Sequence, residues 1–421
     1  MEKAFEEEQI EHVAEGTASN GKALFMLLKA FVGTGVVFLP GSFASGGLIL
    51  SIILMIVISA VCLVAFLLLI KSQLAVGGDY GQVALKLYGP WLRYLILFFL
   101  CMSQMGFVSS YIIFASQNLG LVVDQLSHCH RAFPESTFIW LSLVIIIPIT
   151  WVRKIERLSW NAIVADVFIL FGLVSVVYFA SEQLERNGPG RNLTMVNSSD
   201  FALMIGTAVF SYEGIGMVVP IIQGMKRPDE FPRVLTLGMI ICTCLFVCIG
   251  TLGYVSYGEG IHASVVSNLP PQNGLAIAVQ LFYAIAMVLT SPFVLFPPLT
   301  IVEQGLFGDD RSGRLSLKYK WGKNFVRSMI PIVSASVSYS VGPEGLNKFV
   351  ALVGSLCCMP LCFIFPGLFH YKVTNNRWEK VGDIIMVLWG IGIMIFTLYV
   401  NIRSWFVPAG LIEASPNICP L

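Results

Sequence analysis

The sequence predicts an all-α integral membrane protein of eleven transmembrane helices, the first ten forming two inverted repeats of five and the eleventh added to them. Three observations carry this. Hydrophobic residues make up 56% of the 421-residue chain against 12% charged, and the mean hydropathy is +0.79, too apolar for soluble domains. Uncharged runs such as GLILSIILMIVISAVCLVAFLLLI, Gly47 to Ile70, are long enough to cross a bilayer as helices, and the alternating ten-residue strands of a barrel are absent. The first and sixth apolar runs, five helices apart, each carry glycines at the centre and a proline near the end, the pattern of paired discontinuous helices in inverted repeats.

The chain opens with MEKAFEEEQIEHVAEGTAS, acidic and without the basic start and apolar core of a cleavable signal. Residues 1–19 are therefore expected to form a solvated cytosolic arm, 20–405 the transmembrane domain and 406–421 a short lumenal tail. The spans fall at roughly 22–41, 47–70, 93–120, 137–152, 158–180, 201–222, 233–257, 273–300, 325–341, 346–368 and 381–404. The fourth is the shortest.

Orientation follows from Lys and Arg, which are retained on the cytosolic side. With a cytosolic amino terminus they divide 20 to 5 between the two sides, and Lys29 inside the first span completes the 26. The loop from Ser181 to Ser199 tests this independently, because Asn192-Leu193-Thr194 and Asn197-Ser198-Ser199 are glycosylation acceptors usable only on the lumenal or extracellular face. The charge count puts that loop there. Eight of the ten cysteines fall in spans, as small apolar packing residues. Cys129 and Cys419 face the oxidising side, where a disulfide between them is one option. No spacing fits a zinc or iron–sulfur site and no nucleophile–base arrangement sits in a soluble domain, so no enzyme activity, cofactor, metal or nucleic-acid partner is expected.

Polar chemistry gathers at the membrane centre. In AFVGTGVVFLP, Ala30 to Pro40, Thr34 lies about 18 Å from the start of its span, and Glu213 in FALMIGTAVFSYEGIGMVVPII lies about 18 Å in from the other side. Thr290-Ser291-Pro292 in the eighth span reaches the same level. An unwound segment there frees backbone N–H and C=O groups that protein, water or a ligand must satisfy. Taken alone, the glycines read better as helix-packing residues. Glu213 changes that balance, because an ionisable group at mid-membrane is a functional candidate by default, although a protonated, hydrogen-bonded strut is its structural alternative. Asp166 in NAIVADVFILFGL is the other buried acid, about 12 Å from the cytosolic surface. A pair with Lys29 is geometrically open, yet a lone lysine at that depth more commonly reaches the interface, so Asp166 ranks above it. Phe210, Tyr212, Tyr283, Gln104 and Tyr111 are further candidates to line the cavity, and Tyr212 stands out by its place beside Glu213.

KAFVGTGVVFLP, GDYGQVALKLYGPW after the second span, ADVFIL in the fifth and FSYEGIGMVVPI in the sixth together resemble the amino acid/auxin permease family. The nearest branch is the fungal vacuolar AVT-type and animal lysosomal proton-coupled amino acid transporters, over about residues 20–405. The chain has Ser-Tyr-Glu-Gly where that branch has an aromatic pair before the glutamate. The resemblance implies a leucine-transporter-type fold in which Gly33, Thr34 and Gly35 offer N–H groups to a substrate carboxylate. Carbonyls around Tyr212, Glu213 and Gly214 receive its amino group. Two half-helix ends suit a zwitterion. The expected function is secondary transport of neutral amino acids through a multi-pass vacuolar or lysosomal membrane protein, the plasma membrane being the alternative. Protons couple the transport through Glu213 or Asp166. Alternatives are sodium coupling at Thr290 and Ser291, where some relatives bind sodium, and an amino acid sensor that moves little substrate.

Overall fold

The computed structural model describes residues 18–128, 130, 133–153, 155–308 and 317–406, and no β-strand lies among them. Most of the acidic arm, the tail from residue 407 and the Cys129–Cys419 pairing fall outside the described residues. So does the side chain of Thr34.

The first span is two helices. The chain enters at α1 (Asn20–Phe31), capped by the Ser19 hydroxyl accepting from Lys22 N–H, and leaves helical geometry at Val32 (φ −80°, ψ 58°) and Gly33 (φ −97°, ψ −139°). A single 3₁₀ turn, Thr34–Val37, precedes α2 (Leu39–Gly46). Pro40 sits in the first turn of α2, where its missing N–H has no helical partner to lose. The sixth span repeats the device. There α8 (Phe201–Ser211) stops at Tyr212 (φ −90°, ψ 2°) and α9 (Ile215–Gln223) restarts after Gly214 (φ −148°, ψ 11°).

Between and after them run α3 (Leu48–Val76), the short amphipathic α4 (Tyr80–Tyr88), α5 (Pro90–Leu126), α6 (Ser136–Thr150), α7 (Ile155–Asn187) and α10 (Phe231–Tyr257). The remainder is α11 (Gly274–Val294), α12 (Phe296–Phe307), α13 (Leu317–Val341), α14 (Leu346–Val353), α15 (Phe365–Val373) and α16 (Arg377–Trp405). Among the described residues, seven helical stretches are long and apolar enough to cross a membrane. The other expected spans, roughly 22–41, 137–152, 201–222 and 325–341, are also largely helical, but they are short, interrupted or more polar.

The eighth span breaks three residues beyond the position its sequence suggests. α11 continues through Ser291 and Pro292 and ends at Leu295. Pro292 withholds one N–H from the preceding turn without clashing enough to stop the helix, and Pro297 and Pro298 open the next one, where prolines fit. Between α14 and α15 the tenth span widens into two successive π turns, Gly354–Cys358 and Pro360–Ile364. Pro360 has no N–H to give to the turn before it, and such widened turns recur at functional sites.

The ends of α1, α3, α6, α9, α12 and α15 gather on one face, called here the amino-terminal face. Ala18 N–H donates to Gly224 O (2.9 Å) and Lys226 N–H to Ala18 O (3.0 Å), while the Asn20 amide donates to the Glu230 carboxylate. The outer ends of the two interrupted spans are thus joined. On the opposite face the loop before α8 lies across the α2–α3 corner: Leu48 N–H donates to Thr194 O (2.9 Å) and Asn197 N–H to Gly46 O (2.9 Å). Gly47 makes this corner with φ +79°, and a side chain there would meet the loop backbone at 2.8 Å.

A buried charge cluster fastens the α6, α12 and α13 ends. Arg327 donates from Nε to Glu303 (2.6 Å) and from Nη1 to the carbonyls of Thr150 (3.0 Å) and Val152 (3.2 Å), while Lys323 sits 3.1 Å from Glu303. Arg327 thereby satisfies carbonyls that the end of α6 leaves open. Breaking a buried pair costs about 3–5 kcal/mol. Arg327→Met is therefore expected to lower the melting temperature of the detergent-solubilised protein by several degrees, and Lys323→Met, which leaves Arg327 in place, by much less.

Candidate functional site

The two interruptions meet. A methyl group added at Gly35 would lie 3.1 Å from Ser211 Oγ and 3.2 Å from its Cα, and one added at Gly214 would lie 2.6 Å from the Phe31 ring. Small residues at both positions let the broken backbones come together, and Gly33 keeps open space, its nearest neighbour being the Ala30 carbonyl at 4.0 Å. Gly33, Gly35 and the Tyr212–Gly214 segment, predicted from sequence as one site, are thus brought to one place.

The halves of each span differ in exposure. Every residue of α2 and all of α8 except Phe201 are buried, whereas α1 and α9 present exposed positions such as Phe25 and Gly216. Aromatic rings close the buried half: Phe38 packs on Phe114 (5.8 Å) and Phe210 (6.3 Å), Phe107 on Phe210 (4.4 Å) and Tyr283 on Phe114 (6.0 Å). Phe210 and Tyr283 were legible as aromatics near the site. Phe38, Phe107 and Phe114 were not, since an aromatic in an apolar run carries no mark of which way it faces.

Tyr212 points elsewhere. Its hydroxyl donates to Thr243 Oγ1 (3.1 Å) on α10, which also meets Ser59 on α3 (2.6 Å), and its ring packs on Phe246 (5.3 Å). Its side chain fastens the break to the scaffold, so what it can offer to a ligand is backbone. Glu213 is half-buried as a residue, but its Oε1 is sealed from solvent and has no hydrogen-bond partner. Asp166 differs. It forms an ion pair with Lys29 at 2.5 Å, with 37% of its side chain exposed, so Lys29 turns to α7 instead of to the interface. At the eighth span Ser291 Oγ donates back to Met287 O (2.8 Å), while the Thr290 hydroxyl is buried and unpartnered. Asn192 and Asn197 lie on the loop across the α2–α3 corner. Asn192 donates to Glu259 (2.8 Å) and Asn197 Oδ1 accepts from Ser199 N–H (3.0 Å).

Two interrupted helices crossing at their breaks inside an all-helical scaffold define the fold class: the leucine-transporter type. Solved structures agree on the fold. The crystal structure of MhsT in complex with L-phenylalanine superposes with a TM-score of 0.61 at 14% identity, covering 92% of this chain and 99% of that one. The inward-facing conformation of Mhp1 gives 0.61 at 13% identity, covering 94% and 92%. The chain belongs to the transmembrane amino acid transporter protein family, which matches residues 16–403.

Among its relatives, the vacuolar amino acid transporter 3 of Schizosaccharomyces pombe is 40% identical over 387 residues, 92% of this chain. The vacuolar amino acid transporter 4 of Saccharomyces cerevisiae is 36% identical over 420 residues, again 92% of this chain. The chain spans 58% and 59% of the length of these two relatives.

Proposed function

We propose that the chain moves neutral amino acids across a vacuolar or lysosomal membrane by alternating access, driven by protons, with the amino-terminal face in the cytosol. The meeting of the two breaks carries this reading: it brings the segment after Phe31 beside the segment after Ser211, and in our reading N–H groups after Gly33 and carbonyls around Glu213 take the substrate between them. Those are the two halves of a zwitterion's partners. The relatives' vacuolar amino acid transporter names support substrate and membrane. The unpartnered mid-membrane carboxyl of Glu213 supports the proton, since nothing packed against it supplies a balancing cation among the described residues. Purified protein in liposomes, given labelled neutral amino acids under an imposed pH or sodium gradient, tests it: accumulation follows the pH gradient alone. Accumulation with sodium alone would instead favour the buried, unpartnered Thr290 hydroxyl as part of a cation site.

The same reading places Asn192 and Asn197 in the lumen with the carboxyl terminus, eleven crossings from the amino terminus. Endoglycosidase treatment is expected to increase the protein's gel mobility, and Asn192→Gln with Asn197→Gln to abolish that change. A carboxyl-terminal tag digested by protease added to sealed organelles would remove one crossing.

A further inference from the structure

The hairpin between the tenth and eleventh spans encloses a histidine that the transport reading does not use. Gly367 lets the two helices come together there: a methyl on it would lie 2.9 Å from the Val387 side chain and 3.3 Å from the Asp383 carbonyl. One turn further along α15, His370 is buried with 3% exposure, and Asp383 on α16 with 2%. The imidazole Nδ1 lies 3.0 Å and 2.9 Å from the two Asp383 carboxylate oxygens. Its Nε2 lies 3.7 Å from Glu379 Oε2, which also accepts from the Thr374 hydroxyl at 2.5 Å. Both ring nitrogens thus face carboxylates.

A neutral imidazole carries one N–H and can donate from one nitrogen only, whereas the protonated ring donates from both. The helix ends favour the same arrangement. His370 stands in the last turn of α15, where a cation is stabilised, and Glu379 in the first turn of α16, where an anion is. From this geometry we infer that His370 is a pH-sensitive latch: with a proton it ties α15 to both Asp383 and Glu379 of α16, and without one it keeps a single bond and loses the ion pair. The end of α15 lies on the amino-terminal face, so the latch answers to the cytosol in the orientation proposed above. It depends neither on the substrate nor on Glu213.

The charged and titratable groups around the ring come from three elements. α16 contributes Asp383 and Glu379, and α3 contributes Lys71, whose charge acts on both carboxylates. From α4 come Tyr80, whose ring packs on Phe369 (5.5 Å), and Tyr88, whose hydroxyl donates to the Leu368 carbonyl (2.7 Å). Lys372 of α15 turns to the Tyr88 ring at 5.3 Å, and Lys380 of α16 to Tyr371 at 5.4 Å. Of these side-chain types, imidazole alone ordinarily changes charge between pH 5 and 8.

The latch also has a route to the centre of the protein. From His370 the seam between the two helices runs to the second π turn, where Phe363 packs on Trp389 (5.4 Å) and a methyl on Gly390 would lie 3.1 Å from Phe363 Cβ. The first π turn meets the sixth span, since a methyl on Gly354 would lie 1.9 Å from Gly206 O. Loosening the hairpin thereby removes support from the wall behind the interrupted sixth helix.

Hydrogen–deuterium exchange of the full chain in lipid nanodiscs tests this, run from about pH 5 to 8, the range of imidazole, and corrected for the intrinsic rate at each pH. Amides of residues 367–387 are expected to lose protection as the pH rises, by about tenfold or more, the equivalent of one charge-assisted contact. In His370→Gln, which keeps a donor but cannot change charge, protection is the same across the range. Glu213→Gln keeps the natural step. The step is read without transport, so it stands or falls apart from the proton coupling assigned to Glu213. Should His370→Gln fail to fold, Glu379→Gln, which removes the carboxylate at the exposed side of the ring, is expected to move the step to lower pH. A step that persists in His370→Gln or disappears in Glu213→Gln overturns the latch, as does a step that Glu379→Gln leaves in place or a natural hairpin whose protection does not vary with pH.

Discussion

Gly33→Val is expected to abolish amino acid binding while the protein still folds and reaches its membrane. Position 33 has a negative φ (−97°), and the nearest atom to an added Cβ is the Ala30 carbonyl oxygen at 4.0 Å. A valine there thus meets no neighbouring atom but fills the space through which a carboxylate approaches the backbone N–H groups. Hydrogen bonds to a charged group are worth about 1.5–3 kcal/mol each, so losing one or two weakens binding by about tenfold to ten-thousandfold. Gly35→Val is the informative contrast. Its Cβ would press on Ser211 at 3.1–3.3 Å, so it is expected to lower stability along with binding. Normal substrate binding by a well-folded Gly33→Val protein, measured by scintillation proximity or calorimetry, would sink the unwound-helix site.

Glu213→Gln should produce the second large effect, in coupling and not in binding. A one-unit pH gradient supports at most about tenfold accumulation when one proton accompanies each substrate. The glutamine variant, fixed in the neutral form, is expected to bring that ratio to about one while exchange of internal for external substrate continues. Uptake by the natural protein rises as the pH on the proton-rich side falls, because the carboxyl there gains its proton. The variant's uptake is flat over the same range. Asp166→Asn should leave the pH dependence intact, since Asp166 is paired with Lys29 at 2.5 Å, and a loss of coupling there with Glu213→Gln unaffected would exchange the two roles.

Much of this arrangement was legible in the residues. Composition and uncharged runs fix membrane helices because lipid offers no partner for backbone polar groups. Glycines at Gly33, Gly35 and Gly214, placed five helices apart, announce both breaks. What the sequence could not yield was direction. Tyr212 and Glu213 are adjacent in the chain yet meet different walls: Tyr212 is fastened to Thr243 and Phe246, whereas Glu213 Oε1 is buried without a hydrogen-bond partner. Which wall each meets depends on helices distant in sequence. The π turns were hidden for a similar reason: GSLCCMPLCFI reads as an ordinary apolar run with one proline, and only its packing against Gly206 shows where it widens. Lys29 and Asp166 pair instead of parting because α1 lies close enough to α7 for the amine to reach, a distance with no trace in residue order.

The bridge from Ala18 to Gly224 and Lys226 has a mechanical consequence. Two helices that pivot at separate points ordinarily own independent rotations. Joined at their outer ends by backbone hydrogen bonds, and touching at Phe31 and Gly214 near the pivots, α1 and α9 become two bars of one linkage with a single shared swing. Each opening of the amino-terminal face then has to carry both bars or snap the bridge, so the stiffness of a contact of two backbone hydrogen bonds sets how far one half-helix travels before it drags the other.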